Sequence, residues 1–514
     1  MIIPRETARP TLPHPGDGTA DVMKMSAAEA RFERIRQTSG FFVGPVAFLG
    51  VLFFPIPGLS TEAHHLAAVV ALVVSWWVSE AIPIPATALV GTAMLVLMGV
   101  APAREAFAPF ANPIIFLFIG SFMLGRAISI HELDRRLALK LLSLRVVRGR
   151  FSRVHLALAL FGLGVSAWMS NTATMAMIIP IAMGVLSSSA VLRNAGGRQY
   201  TAGFLLTLAY AIAAGGLMTP VGSPPNLITI GLLSRLAGVE IDFLTWMMLT
   251  VPVGVTLGAL IFVVAARMFP GLPAGAVVPP TRSEEPARMN RGQRFCLFAF
   301  GVAVVLWVTP GVFELFASDA TPGWTLVRRL DEGVVAIIAA TLLFFLPVSW
   351  RERRFALEWS DASRIDWGTI LLFGAGLSLG EQMFKTGLAE TVGISLVQFT
   401  GAETLWAITA LAIALGIVLT EVTSNTATAN MLVPVVISMC LTTGLNPVPP
   451  ALGACMGASM AFMLPISTPP NAIVYGTGYI RITEMVRFGI VLDVIGFFVA
   501  FGGLRIMCPL LGLA

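Results

Sequence analysis

The chain has 514 residues, of which 56% are hydrophobic and only 12% charged, with a mean hydropathy of +0.84 and a formal net charge of +5. A soluble domain carries about 25% charged residues. Half that charge excludes a large water-soluble enzyme, and the small excess of loop arginines excludes a nucleic-acid-binding surface. Four cysteines (Cys296, Cys440, Cys455 and Cys508) show no Cys-x-x-Cys spacing and read as isolated thiols on apolar helices.

Residues 1–37 are polar and carry Arg5, Arg9, Lys24, Arg31, Arg34 and Arg36, with no apolar core after the first methionine. They read as a disordered cytoplasmic tail rather than a cleaved signal. Apolar runs long enough for spans follow near 41–59, 65–82, 85–101 and 113–130. The stretch 131–150, opening His131-Glu132-Leu133-Asp134-Arg135-Arg136-Leu137, is amphipathic and is expected on the membrane surface. Residues 154–190 are too long for one span and predict a re-entrant helical hairpin. Residues 200–236 predict a span broken at Gly222-Ser223-Pro224-Pro225, and 245–266 another span. A Pro-rich loop at 269–293 divides the chain. Spans near 295–316, 333–349 and 367–384 follow, then a second surface helix (385–400), a second hairpin (405–443), a second broken span (450–480) and a last span (485–508).

This order is a repeat. Ser170-Asn171-Thr172-Ala173-Thr174 recurs as Ser424-Asn425-Thr426-Ala427-Thr428, and Ser223-Pro224-Pro225-Asn226 has its partner in Thr468-Pro469-Pro470-Asn471. Phe118-Ile119-Gly120 aligns with Phe373-Gly374-Ala375. Eight Lys or Arg lie between Arg126 and Arg153, whereas 381–404 holds only Lys385 among three glutamates. The positive-inside rule then sets the two halves in opposite orientations, with the N-terminus in the cytoplasm. About eleven full spans place the C-terminus outside. The expected fold is therefore an all-α polytopic membrane protein: two inverted repeats, each with a re-entrant hairpin and a broken helix.

No Asp, Glu, Lys or Arg occurs from Val154 to Leu192, from Gln199 to Ser234, or from Val422 to Ile480. Buried hydroxyls and amides there must pair with one another, with backbone or with a ligand, since an unpaired polar group in hydrocarbon costs several kcal/mol. A helix starting at a tip directs N–H groups and partial positive charge at an anion. Carbonyls, hydroxyls and the Asn oxygen suit Na⁺, and paired prolines free carbonyls at the breaks. A lone Ser-Asn-Thr reads as helix–helix glue; two copies in register across inverted halves read as a binding site. Glu421, the acid beside a tip, reads as a buried brace, with a proton carrier as the alternative. Glu80 reads as structural, and His155 and Asp493 receive no role.

These residues resemble the divalent-anion/sodium symporter family of dicarboxylate, citrate and sulfate carriers. The resemblance rests on both Ser-Asn-Thr copies, on Glu80-Ala81-Ile82-Pro83, and on the run from Ser459 to Val474 that contains Ser467-Thr468-Pro469-Pro470-Asn471. It implies a homodimer in which a mobile transport domain moves like an elevator against a fixed scaffold. Residues 38–130 and 294–384 are then scaffold helices, 131–150 and 385–404 the inner and outer surface helices, and 151–268 and 405–514 the transport-domain parts. The resemblance further implies a first sodium site at Ser166, Ser170, Asn171 and Gly222, and a second at Thr420, Thr423, Asn425 and Ser467. Substrate is implied at Ser170, Asn171, Thr172, Ser424, Asn425 and Thr426, with Ser223, Pro224, Thr468 and Pro469 lining the loops.

The resulting expectation is sodium-coupled symport of a dianion, a C4-dicarboxylate such as succinate, malate or fumarate, in a bacterial inner membrane. A sulfate or citrate carrier and a sodium-independent exchanger are the alternatives within this fold. The chain lacks the His-Glu-x-x-His motif of a metalloprotease, and a non-transporting membrane sensor is the reading from another class.

Overall fold

The computed structural model describes residues 27–54, 56–147, 150–187, 195–270, 288–316, 327 and 329–513. The first 26 residues of the expected tail and residues 271–287 of the expected central loop lie outside them. The remainder is helical apart from one small β-hairpin, β1 (Pro347–Ser349) with β2 (Arg354–Phe355).

The first half begins with α1 (Ala27–Phe53), α2 (Thr61–Ser79), α3 (Ile84–Leu97) and the short α4 (Ala103–Phe107). It continues through α5 (Pro113–Ile130), α6 (Leu133–Ser143), α7 (Phe151–Ser166), α8 (Asn171–Ser187), α9 (Ala195–Gly216), α10 (Pro224–Leu232) and α11 (Phe243–Met268). The second half comprises α12 (Arg291–Phe316), α13 (Glu332–Phe345), α14 (Trp359–Ala362), α15 (Trp367–Lys385), α16 (Leu388–Thr400), α17 (Leu405–Val422), α18 (Asn425–Thr442), α19 (Val448–Ala458), α20 (Pro469–Gly476) and α21 (Ile482–Leu510). Among the described residues, eight helices are long and apolar enough to cross a membrane, and five shorter apolar helices accompany them. α1 leaves Phe41, Phe42 and Phe53 exposed, as a lipid-facing helix does.

Two boundaries depart from expectation. Residues 27–37 are helical rather than part of a disordered tail. Glu33 accepts hydrogen bonds from Arg36 and Gln37, i,i+3 and i,i+4 pairs that carry the helix out past its apolar section. The span expected at 333–349 stops at Phe345, because Pro347 cannot continue a helix and enters the β-hairpin instead.

The hairpins and breaks fall where the motifs stand. α7 and α8 turn at Ser170, α17 and α18 at Ser424; α9 and α10 are separated by Gly222 and Ser223, α19 and α20 by the run 459–468. The two halves interlock. α10 packs on α18, and α20 packs on α8 and α9, so each Pro-Pro helix lies against the hairpin of the other repeat. Phe118 and Phe373, equivalent positions of the repeat, pack against each other at a 58° tilt with ring centroids 5.3 Å apart. A separate apolar cluster joins α2, α3 and α15 through Leu66, Val73, Trp77, Leu95 and Leu379.

Candidate functional site

Four helices begin at one cavity of about 710 Å³. The hydroxyl of the residue before each start serves as, or stands at, its N-cap. Ser170 accepts from Ala173 N–H (3.3 Å) at α8, and Ser424 from Ala427 N–H (3.2 Å) at α18. Thr468 accepts from Asn471 N–H (3.4 Å) at α20, and Ser223 occupies the same position before α10. Each helix start carries a partial positive charge, so four such ends meet at one space. The sequence reading counted two, because it treated the prolines as breaks that free carbonyls. Ser-Pro-Pro and Thr-Pro-Pro are also N-cap, N1 and N2 of a new helix, where a missing proline N–H costs nothing.

Every residue expected at the substrate lines this cavity: Ser170, Asn171, Thr172, Ser223, Pro224, Ser424, Asn425, Thr426, Thr468 and Pro469. Both tips line it. Asn226 and Asn471 hold the two loops in matching shapes. Asn226 Nδ2 donates to the carbonyls of Gly216 and Thr219 (both 2.8 Å), and Asn471 Nδ2 to those of Ala461 (2.8 Å) and Leu464 (3.1 Å).

Behind the tips the expected cation residues divide. Ser166 is fully buried, and its hydroxyl donates to Asn171 Oδ1 at 2.6 Å. Gly222 is ringed by backbone oxygen: a Cβ there would stand 2.7 Å from Gly216 O, 3.0 Å from Ala167 O and 3.1 Å from Ser166 O. In the second repeat the Thr420 hydroxyl lies 2.8 Å from Asn425 Oδ1 and 2.7 Å from the Ala458 carbonyl. One hydroxyl proton thus serves three converging oxygens. Both clusters are oxygen-only and carry spare lone pairs, a donor set that fits an alkali cation.

Two expected ligands are placed otherwise. The Thr423 hydroxyl faces the Trp77 carbonyl of α2 at 3.5 Å, turned away from the Thr420 cluster. The Ser467 hydroxyl lies 3.0 Å from both the backbone oxygen and the carboxylate of Glu421, although the residue lines the cavity. Glu421 is a brace. Its carboxylate accepts from the backbone N–H groups of Phe462 (2.7 Å), Met463 (2.9 Å) and Leu464 (3.2 Å), tying the unwound strand of one break to the tip of α17.

The sequence reading missed one feature of the wall. The tips carry no fixed cation, yet Arg126 of α5 and Arg364, just after α14, line the same cavity, with Asp366 the one acid among the lining residues. Neither arginine is near a motif in sequence, so only the tertiary packing of α5 and α14 against the tips reveals them.

A helical membrane bundle in which two inverted repeats bring re-entrant tips and broken helices to one midpoint is the architecture of a secondary transporter. The family model described as "Sodium:sulfate symporter transmembrane region" matches residues 37–511, and the chain belongs to that family. It is 31% identical over 473 residues to the sodium-dependent dicarboxylate transporter SdcS of Staphylococcus saprophyticus, covering 90% of this chain and 89% of that protein. The protein of the same name from Staphylococcus aureus is 31% identical over 465 residues, 88% of each chain. Among solved structures, the YdaH transporter of Alcanivorax borkumensis is similar in fold, with a TM-score of 0.53 at 14% identity over 79% of this chain and 86% of that one.

Proposed function

We propose that this protein is a sodium-coupled symporter of a C4-dicarboxylate such as succinate, malate or fumarate. The observation that carries the reading is the meeting of four helix N-termini at one cavity, with an oxygen-only cluster behind each Asn-bearing tip. Donor ends contributed by both repeats suit a ligand with two carboxylates, and the oxygen clusters suit Na⁺. The staphylococcal relatives, named as sodium-dependent dicarboxylate transporters, agree with this reading.

Sodium binding at Asn171 and Asn425 orders both tips and offsets the dianion's charge at the same time. The site then moves by an elevator motion of the hairpins and broken helices against the scaffold helices of residues 38–130 and 294–384, within a homodimer. Arg126 and Arg364 line the cavity, next in sequence to the basic stretches expected in the cytoplasm. With more than two Na⁺ per dianion, each net charge moved inward gains roughly 2.3 kcal/mol per 100 mV.

The test is uptake of labelled succinate into proteoliposomes with Na⁺ or choline outside. Uptake that requires Na⁺ and is competed by malate and fumarate supports the reading. Equal uptake in choline overturns symport, competition by sulfate alone moves the substrate to the class that the family description names, and competition by citrate alone moves it to a tricarboxylate.

A further inference from the structure

One face of α5 faces the cavity. Phe118, Ser121, Phe122, Gly125, Arg126 and Ser129 line it, about one turn apart. The polar members of this stripe are unspent. The Ser121 hydroxyl is buried with no hydrogen-bond partner, and neither has Arg126 Nε, which is buried as well. The guanidinium's ion pair with Asp361 of α14 is long, 3.8 Å, between side chains 27% and 32% exposed. Such a pair is worth little and leaves the remaining N–H groups free. Arg364 forms no ion pair with a described residue, and its backbone N–H bonds to Asp361 O at 3.1 Å, which sets it beside the same acid. Asp366, which also lines the cavity, is engaged at the start of α15 by Thr369, through backbone N–H (3.1 Å) and hydroxyl (2.6 Å). From Ser121 to Ser129 the stripe is about 12 Å long at 1.5 Å per residue, enough to lead from the tips to the arginines.

We infer that Arg126, with Ser121 and Arg364, forms a second carboxylate-binding station on the wall of the cavity, distinct from the four helix N-termini and occupied by the substrate as it leaves the tips. The inference rests on the dicarboxylate reading given above. A planar guanidinium with free N–H groups matches a carboxylate in two-point geometry. The station lies on α5 of the scaffold, outside both motif-bearing hairpins, and contains none of the oxygen clusters. Its binding therefore needs no sodium, whereas binding at the tips does. It also weakens with added salt, because its charges face an open cavity.

Saturation-transfer NMR of succinate on the purified full-length protein in sodium-free choline buffer reads the station directly. The wild type gives a signal that added choline chloride suppresses. Arg126→Gln weakens that binding by about tenfold or more, the loss expected for a charge-assisted hydrogen bond. Arg126→Lys retains part of it, and Asn425→Ala leaves it unchanged. Arg364→Gln, which breaks no ion pair with a described residue, also lowers it, and gel filtration confirms that each variant is folded. A wild-type signal absent in choline, a signal unaffected by both arginine variants, or one lost in Asn425→Ala overturns the station. Binding in Na⁺ is read separately on Asn171→Ala, so failure of the tip site and failure of the wall site give different patterns.

Discussion

Asn171 and Asn425 each do two things with one side chain. The Oδ1 of each is held by a buried hydroxyl from the preceding helix, Ser166 or Thr420, and the residue itself opens the helix that faces the cavity. On the proposed reading, replacing either by Ala removes a cation ligand and a substrate contact together. Asn171→Ala and Asn425→Ala are each expected to abolish sodium-dependent uptake in proteoliposomes, with the gel-filtration profile of the wild type. Gly222→Ala tests the first oxygen cluster alone. Its methyl group would stand 2.7 Å from Gly216 O, inside the space where three carbonyls converge. The half-saturating sodium concentration for uptake is expected to rise about tenfold or more, the scale of a perturbed ligand shell. Glu421→Gln tests the brace. The amide presents a donor where a carboxylate now accepts three backbone N–H groups. Leaving a buried donor unsatisfied costs about 1–3 kcal/mol, so the variant's thermal unfolding in detergent is expected several degrees below that of the wild type.

At the scale of elements, the Pro-Pro helices explain how the repeats become one site. α10 lies against α18 and α20 against α8, so each half supplies a helix start to the other's tip. A chain of ion pairs links the turn after α10 to α15 and α4: Arg235 pairs with Glu381 of α15 at 3.1 Å, and Lys385 joins Glu381 (2.7 Å) to Glu105 of α4. Hydrogen bonds from Lys385 and Gln382 hold the Glu105 carboxyl below its ordinary value. That contribution is present above the unfolded-state pKa and is lost as pH falls through the folded one. Glu105 is more than a third exposed, so Glu105→Gln is expected to cost under about 1 kcal/mol at neutral pH. Only well below the reference glutamate value of about 4.3, once pH has fallen past the lowered folded-state value, are thermal scans of variant and wild type expected to coincide.

Much of this element plan was legible in the residues. Ser170–Thr174 and Ser424–Thr428 marked both tips, and the absence of charge around them marked burial. The start of α1 was not legible, because a polar, Ala-rich segment with i,i+4 pairs has the composition of a tail and the propensity of a helix. The direction of the Thr423 side chain was not legible either, since it depends on where α2 packs. Arg126 and Arg364 escaped for the same reason: they reach the site through space rather than along the chain.

For the whole molecule, the mirror relation of the halves matters more than any single residue. Phe118 meets Phe373, Asn226 mirrors Asn471, and Ser166–Asn171 mirrors Thr420–Asn425. Two oppositely oriented units then build one site from equivalent parts, the arrangement on which the proposed movement of that unit as a body rests. The central claim is that sodium and a dianion occupy this shared site together. Binding of labelled succinate to the purified protein, titrated with Na⁺ in the wild type and in Asn171→Ala, tests it most directly. The account predicts high-affinity binding that rises steeply with sodium in the wild type and is absent from the variant. Sodium-independent high-affinity binding, or a variant that titrates like the wild type, would contradict it.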